Sequence, residues 1–197
     1  MADDRLCVSV RKVTNADVDS LLDIERESFA EEERVISDRI EESKREVRGP
    51  LHVPIFVDVA AGRLHSSQEE CIMGYIAWAY EPFEGCGKCI HVMNLAVGTD
   101  FRRLGIATML LLNVREQCFE RFSQAICMRL IVRSDNLAGQ NLYSGFGFQK
   151  QGSIANYYGD VDGIEYQQNL DQHFRASIAR SESPIGSRRR KSKRAKK

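Results

Sequence analysis

The residues best placed to do chemistry lie between positions 97 and 108, which read VGTDFRRLGIAT. An apolar strand is expected to end at Val97, and an amphipathic helix is expected to start at Arg103. The first amides of a helix have no partner inside it, and they lie at the positive end of its dipole. Gly105 and Ala107 are small where a ligand must approach the backbone. This strand, turn and helix therefore predict a binding site for the phosphates of a ligand.

The elements that position this turn follow from the spacing of the apolar residues. Their predicted order is β-α-α-β-β-β-α-β-α-β-β, in which strand 90–97, helix 103–122 and strand 128–133 form one crossover unit. A charged second helix is expected over 35–47 and a final hairpin over 148–170. The predicted fold class is therefore α/β, with helices on both faces of a mixed sheet.

The composition indicates one ordinary domain followed by a tail. The chain has 197 residues, of which 43% are hydrophobic, enough to build a core. We expect the domain to occupy residues 1–175, and a flexible linker and tail to occupy residues 176–197. No apolar run reaches the length of about 18 residues that a membrane span needs, so no membrane partner is expected. The six cysteines are interpreted as reduced thiols of a cytoplasmic or nuclear protein.

The formal net charge is zero, but the charge is unevenly distributed. Residues 188–197, RRRKSKRAKK, hold 8 of the 28 Lys and Arg, which leaves 20 basic against 28 acidic side chains in residues 1–187. An acidic domain thus precedes a polybasic tail that is expected to be disordered. Such a tail is typical of a nuclear-localisation signal or of an electrostatic contact with ribosomal RNA. The alternative is a solvated terminus that aids solubility.

Two motifs taken together resemble those of one family. Arg102-x-x-Gly105-x-Ala107 after a strand resembles the acetyl-CoA motif of the GCN5-related N-acetyltransferase (GNAT) superfamily, and segment 136–148, NLAGQNLYSGFGF, resembles its second signature. Segments 24–29, 132–136 and 156–158 resemble the protein N-terminal acetyltransferases, which include a bacterial ribosomal-protein alanine acetyltransferase. The resemblance implies a GNAT fold, with about seven strands and about four helices.

The resemblance also implies that the chain binds acetyl-CoA and needs no metal. Strand residues would pair with the pantetheine arm, amides of the turn would bind the pyrophosphate, and arginine side chains would add charged contacts. The implied residues are Leu95, Ala96, Val97, Arg102, Arg103, Leu104, Gly105, Ile106, Ala107, Thr108, Asn136 and Tyr143. Asn136 would in addition cap the helix that follows it.

The resemblance implies that Tyr143 protonates the departing CoA thiolate, and the alternative is a core aromatic residue. Relatives often carry a base at the position of Ile131, which has no proton acceptor. His91 is the predicted replacement, because strand parity places it on the same face as Leu95 and Val97. A histidine pKa of about 6.5 suits proton transfer from an α-amine, whose pKa is about 7.7–8.0. The alternative is a surface histidine beside a hairpin.

Three aromatic residues are implied to contact the acceptor. Tyr157 and Tyr158 would lie over its first residues, unless they only form an exposed hairpin tip. Phe29 would line the opposite wall with the acidic run Glu31–Glu33, which is otherwise a solvated face. The CxxC segment 86–89 lacks two further zinc ligands and is interpreted as a turn.

These features predict an acetyl-CoA-dependent N-acetyltransferase in which the amine attacks the thioester directly, in a ternary complex. The implied acceptor is the N-terminal α-amine of proteins or peptides. A small amine or polyamine is the alternative acceptor, and a GNAT-fold subunit without activity is the alternative function. An auxiliary subunit, and the ribosome through the basic tail, are the expected partners.

Overall fold

Seven strands form one mixed sheet, in the order β1-β2-β3-β4-β5-β7-β6. The computed structural model describes residues 7–37, 54–63, 69–83 and 87–170. The strands are β1 (Cys7–Lys12), β2 (Ile55–Arg63), β3 (Glu70–Phe83), β4 (Gly87–Val97), β5 (Ala125–Arg133), β6 (Gln149–Tyr158) and β7 (Val161–Asn169). Among them β4 and β5 are parallel, and the other neighbouring pairs are antiparallel. The predicted mixed sheet is therefore confirmed.

In the described part of the chain, three helices pack on the sheet: α1 (Val18–Ser28), α2 (Ile106–Glu120) and α3 (Leu137–Phe146). Residues 35–37 are also helical. Alternate residues of β3 enter two separate cores, because successive side chains of a strand point to opposite faces. Ile76 and Trp78 pack in the core that α2 and α3 cover, and Tyr75 and Ala77 pack in the core beneath α1.

The parallel strands β4 and β5 separate in the middle of the sheet. Their register runs from Lys88–Ala125 to His91–Arg129 and stops there. Strand β4 continues to Val97 along β3, and β5 continues along β7. A gap therefore opens at the centre of the sheet, with α2 connecting the two strands by a crossover. Parallel strands need such a crossover connection, and it places the 97–108 turn at the edge of the gap.

The helix after the turn begins later than predicted. We expected it to start at Arg103, but α2 begins at Ile106. Arg103 has a φ of 65° and Gly105 a φ of 82°, which lie in the left-handed region that a right-handed helix does not use. A short 3₁₀ segment, Thr99–Phe101, precedes them. The predicted boundary was wrong because the spacing of apolar residues does not indicate these two left-handed backbone conformations.

Some predictions fall outside the described residues. They are the part of the 35–47 helix beyond residue 37, the residue Cys86, the domain boundary at 175 and the linker and basic tail over 176–197. The predicted final hairpin is confirmed, since β6 and β7 pair around Gly159 and Asp160.

Candidate functional site

Two cavities lie where β4 and β5 separate. We call the first, of about 610 Å³, the turn cavity, because residues of the 101–108 turn line it together with α3. We call the second, of about 500 Å³, the hairpin cavity, because Tyr157 and Tyr158 of the β6–β7 hairpin line it. The residues that line both cavities are Ser28, Phe29, Leu95, Asn136 and Tyr143. The two cavities therefore adjoin at these side chains, as two binding sites for reacting partners would.

The turn cavity is open directly in front of Gly105. A Cβ added to Gly105 would meet no heavy atom within 4 Å, so the glycine is required by its φ of 82° and not by crowding. The amide of Met109 donates to the Gly105 carbonyl at 3.0 Å, which makes it the first amide bonded in this helix. The amides of residues 106–108 precede it and lie at the positive end of the α2 dipole. This arrangement suits bound phosphate.

The predicted phosphate-side residues line the turn cavity with one exception. Leu104 does not line it, and its side chain is 55% exposed, so any contribution from this residue is limited to its backbone. Arg102 and Arg103 both line the cavity, and Arg102 Nε donates to the Val97 carbonyl at 3.1 Å. The remaining predicted residues on this wall are Leu95, Ala96, Val97, Gly105, Ile106, Ala107 and Thr108.

Asn136 and Tyr143 belong to the wall that α3 provides. The Asn136 side chain accepts a hydrogen bond from the Gly139 amide at 2.9 Å, which confirms the predicted helix cap. Tyr143 lines both cavities. Its ring packs edge-to-face against Phe148, with ring centroids 5.9 Å apart. Burial raises the pKa of the Tyr143 hydroxyl, which therefore stays protonated throughout the neutral range.

His91 lies in the hairpin cavity, not on the surface beside a hairpin. Its Nδ1 is 3.1 Å from Glu81 Oε1, and its side chain is 21% exposed. Burial lowers the pKa of His91, the nearby Arg129 guanidinium lowers it further, and Glu81 partly opposes both effects. The ring is consequently neutral at physiological pH and able to accept a proton. Ile131 lines the same cavity but has no proton acceptor. His91 is a side chain of this cavity that can act as the base in its place.

The aromatic residues predicted to contact the acceptor all line the hairpin cavity. Tyr158 donates from its hydroxyl to the Ile131 carbonyl at 3.0 Å, and burial raises its pKa to about 12. The rings of Tyr157 and Tyr158 pack edge-to-face with centroids 4.8 Å apart, and Tyr157 is 48% exposed. Both belong to the end of β6 and not to the turn itself, which is Gly159-Asp160. Phe29 faces them from the end of α1.

The segment after α1 is attached to the sheet by contacts that the sequence did not indicate. Glu33 Oε1 lies 2.7 Å from Arg133 Nη1, and Asn94 Nδ2 donates to the Glu33 carbonyl at 3.0 Å. Glu32 and Glu33 line the hairpin cavity, whereas Glu31 does not. The acidic run is therefore only partly a solvated face, and its third member is neutralised by an arginine from β5.

Glu25 holds the same segment from the other side. This fully buried carboxylate accepts hydrogen bonds from the Ile36 amide at 2.7 Å, the Ser37 amide at 3.0 Å and the Tyr75 hydroxyl at 3.2 Å. A carboxylate at the start of a helical segment satisfies amides that have no helical partner. A glutamate among the apolar positions of α1 was the available signal, and sequence reasoning missed it.

The described residues contain no group of three or more His, Cys, Asp or Glu side chains that could hold a metal ion. Cys89 is buried, and its register partner on β5 is Cys127, which is also buried. No helix among the described residues has both the length and the apolar character needed to cross a bilayer.

The comparisons with known proteins agree with this geometry. Residues 18–148 match the model of the acetyltransferase (GNAT) family. The chain belongs to the GNAT family. A curated relative, N-alpha-acetyltransferase 20 of Dictyostelium discoideum, is 31% identical over 99 residues. That alignment covers 50% of this chain and 56% of the relative, so the chain matches little more than half of that protein's length.

Solved structures share the GNAT fold with this chain. Arabidopsis thaliana NAA60, crystallised with a bisubstrate analogue, has a TM-score of 0.66 and 18% identity, with 83% of this chain and 98% of that chain covered. The ribosomal-protein-S18-alanine N-acetyltransferase of Escherichia coli has a TM-score of 0.60 and 17% identity, with 84% of this chain and 95% of that chain covered. At these identities the likeness establishes the fold, and the predicted GNAT sheet is confirmed.

Proposed function

We propose that the chain is an acetyl-CoA-dependent N-acetyltransferase whose acceptor is the N-terminal α-amine of proteins or peptides. The observation that carries this proposal is the meeting of two cavities at Tyr143 and Leu95. A phosphate-bearing donor entering from the turn cavity and an amine entering from the hairpin cavity would meet at that point. Membership of the GNAT family and the similarity to N-alpha-acetyltransferase 20 support the choice of donor and acceptor.

The turn cavity fits acetyl-CoA in three respects. The pyrophosphate would lie against the amides of residues 106–108, where Gly105 leaves open space. Arg102 and Arg103 would add charge at the rim of the cavity. The pantetheine arm would pair with the edge of β4 from residue 92 to 97 that β5 leaves unpaired, as an additional strand pairs with a sheet.

The reaction would proceed by direct attack. The neutral amine forms the new C–N bond to the acetyl carbon while the C–S bond to CoA breaks, and the excess proton on nitrogen passes to His91, directly or through water. Tyr143 would donate a hydrogen bond to the departing sulfur. Because burial keeps its pKa above the value of about 8.5 for a free thiol, the hydroxyl stabilises the thiolate without losing its proton completely.

The alternative acceptor, a polyamine, is less well supported by the charges in the hairpin cavity. A polyamine binds best to several unpaired carboxylates, but Glu33 is already paired with Arg133 at 2.7 Å. The aromatic wall of Tyr157 and Tyr158 suits a peptide backbone better than a flexible polycation. The alternative of an inactive subunit rests on Ile131, and His91 in the same cavity argues against it.

A CoA-release assay tests the proposal. Purified chain is incubated with acetyl-CoA and, in parallel, an array of peptides with free N-termini, spermidine and an arylalkylamine. Release of CoA with peptides, abolished when the peptide N-terminus is blocked, is the expected result. Release with spermidine alone would replace the proposal with the polyamine alternative. Binding of acetyl-CoA without release on any amine would support the inactive subunit.

We further propose that the basic tail over 188–197 binds ribosomal RNA electrostatically and that the protein is cytoplasmic, with access to the nucleus. The supporting observation is that eight of the ten residues over 188–197 are basic and none is acidic. Ribosome co-sedimentation that falls steeply with salt and is lost when residues 188–197 are deleted is the expected result. Imaging of the same deletion tests localisation. An auxiliary subunit is the second proposed partner, and co-purification of a stoichiometric protein with the tail-deleted chain tests it.

A further inference from the structure

Three charged or ionisable side chains form a cluster at the closed end of the gap between β4 and β5. Glu81 of β3, His91 of β4 and Arg129 of β5 make up this group, which we call the Glu81 cluster. Glu81 Oε1 lies 3.1 Å from His91 Nδ1 and 2.8 Å from Arg129 Nη2. His91 and Arg129 are also the last register pair before the two strands separate. The cluster therefore connects the paired part of the sheet to the hairpin cavity.

The 3.1 Å contact between His91 Nδ1 and Glu81 Oε1 determines which ring nitrogen is free. A carboxylate paired with a guanidinium has no hydrogen to donate, so His91 Nδ1 must be the donor in the contact with Glu81. In the neutral ring the lone pair then resides on Nε2. Because His91 lines the hairpin cavity, Nε2 is the nitrogen that remains to accept a proton there.

We propose that Glu81 is a positioning residue for His91: it holds the ring in the Nδ1–H tautomer and keeps Nε2 available as the base for the acceptor amine. This inference deepens the proposed function and rests on it.

Arg129 completes the cluster by opposing the charge of Glu81. Its guanidinium lies over the Phe83 ring at 5.6 Å and donates to the same carboxylate oxygen as His91. Arg129 therefore holds Glu81 in place and also limits how strongly Glu81 favours the charged imidazolium. Removing Glu81 and removing Arg129 should thus change the proton affinity of His91 in opposite directions.

Other ionisable groups line the hairpin cavity or neighbour the cluster on β4. They are Cys89 on β4, Arg133 on β5, Glu32 and Glu33 after α1, Tyr143 on α3, and Tyr157 and Tyr158 on β6. Each of these groups is unchanged in the variants below. Differences in the His91 pKa between those variants therefore report the effects of Glu81 and Arg129.

NMR of the imidazole nitrogens tests the tautomer without requiring activity. The full chain has four histidines, and the His91 signals are assigned by their loss in His91→Gln. We expect the Nδ1–H tautomer in the neutral ring of the parent chain. In Glu81→Gln the pKa of His91 should fall by about 1 unit, and in Arg129→Gln it should rise by a similar amount. An Nε2–H tautomer in the parent chain, or shifts of the same sign in both variants, would overturn the inference.

Kinetics give the second readout. In Glu81→Gln the acidic limb of kcat against pH should move down by about 1 unit, and kcat at pH 7 should fall by up to about tenfold because a weaker base remains. Glu81→Asp should recover part of that loss, which a purely structural role does not require. The peptide amine contributes equally in all variants, so the displacement between them isolates His91.

Glu70→Gln is the matched control. Glu70 also pairs with an arginine, Arg11, at 2.8 Å, but it lies outside both cavities. It should leave the His91 pKa and kcat unchanged, and thermal unfolding of every variant checks folding. If the parent chain releases no CoA with any amine, the proposed function fails. If the parent chain is active but Glu81→Gln behaves like Glu70→Gln, the role of Glu81 alone is refuted.

Discussion

The carboxylate of Glu33 and the guanidinium of Arg133 meet at 2.7 Å across the hairpin cavity, although the two residues are 100 positions apart in the chain. Arg133 also lies over the Tyr158 ring at 5.6 Å. One side chain thus connects the segment after α1 to the β6–β7 hairpin. The two walls that would hold an acceptor peptide are positioned relative to each other by this arginine.

Arg133→Met should loosen both walls of the hairpin cavity. The arginine is 31% exposed, so its ion pair contributes about 1 kcal/mol, and KM for an acceptor peptide should rise about fivefold. The Kd for acetyl-CoA should stay the same, because Arg133 does not line the turn cavity. Steady-state kinetics and calorimetry measure the two quantities. Arg26→Met, which removes an exposed arginine on α1, is the control. Equal changes in both constants would contradict this assignment.

Gly105→Ala should weaken acetyl-CoA binding. A residue with a Cβ pays about 1–2 kcal/mol to adopt the left-handed φ of 82°, and the methyl group would project into the space left for phosphate. The Kd for acetyl-CoA is therefore expected to rise at least about tenfold, with a lower Tm. Gly152→Ala is the matched control, since its Cβ also meets no atom within 4 Å but its φ is not positive. A normal Kd in Gly105→Ala would show that the phosphates bind elsewhere.

Tyr143→Phe should lower kcat without changing the Kd for acetyl-CoA. A hydrogen bond to a charged sulfur is worth about 1.5–3 kcal/mol, which corresponds to a loss of about 10- to 100-fold. Because burial raises the pKa of Tyr143, its deprotonation should produce no alkaline limb below about pH 10. Tyr80→Phe, a tyrosine outside both cavities, serves as the control. An unchanged kcat would reduce Tyr143 to a core aromatic residue.

His91→Ala should lower kcat/KM at least about tenfold and flatten the acidic limb of the pH profile. The base must be neutral to act, so activity is lost as the pH falls through the His91 pKa. Burial and Arg129 lower that pKa, which places the limb below about pH 6.5. The peptide amine contributes its own limb at about pH 7.7–8.0 in both proteins, so the comparison concerns the steeper fall below about pH 6.5. A steeper fall that persists in His91→Ala would assign it to another group and exclude His91 as the base.

The local parts of the site were predictable from sequence, and the parts that depend on strand register were not. The 97–108 turn, the Asn136 cap and the position of Tyr143 follow from short motifs whose residues are neighbours in one loop or helix. The pairs Glu33–Arg133 and Glu81–His91 each join different elements, and Glu81 contacts not its register partner Cys89 but the residue two positions beyond it. Periodicity assigns a side chain to a face of its strand, but it does not specify which residue of another strand lies beside it.

The early end of the β4–β5 register at His91 and Arg129 has a consequence for hydrogen–deuterium exchange. Amides in the central strands of a sheet are ordinarily among the most slowly exchanging in a protein. Among the residues that the structure describes, no strand pairs with the edge of β4 that faces the gap. Its amides should exchange rapidly in the free protein and slowly once a donor lies along them. The most central strand of this sheet would then report occupancy of the site, while its outer neighbours keep constant protection.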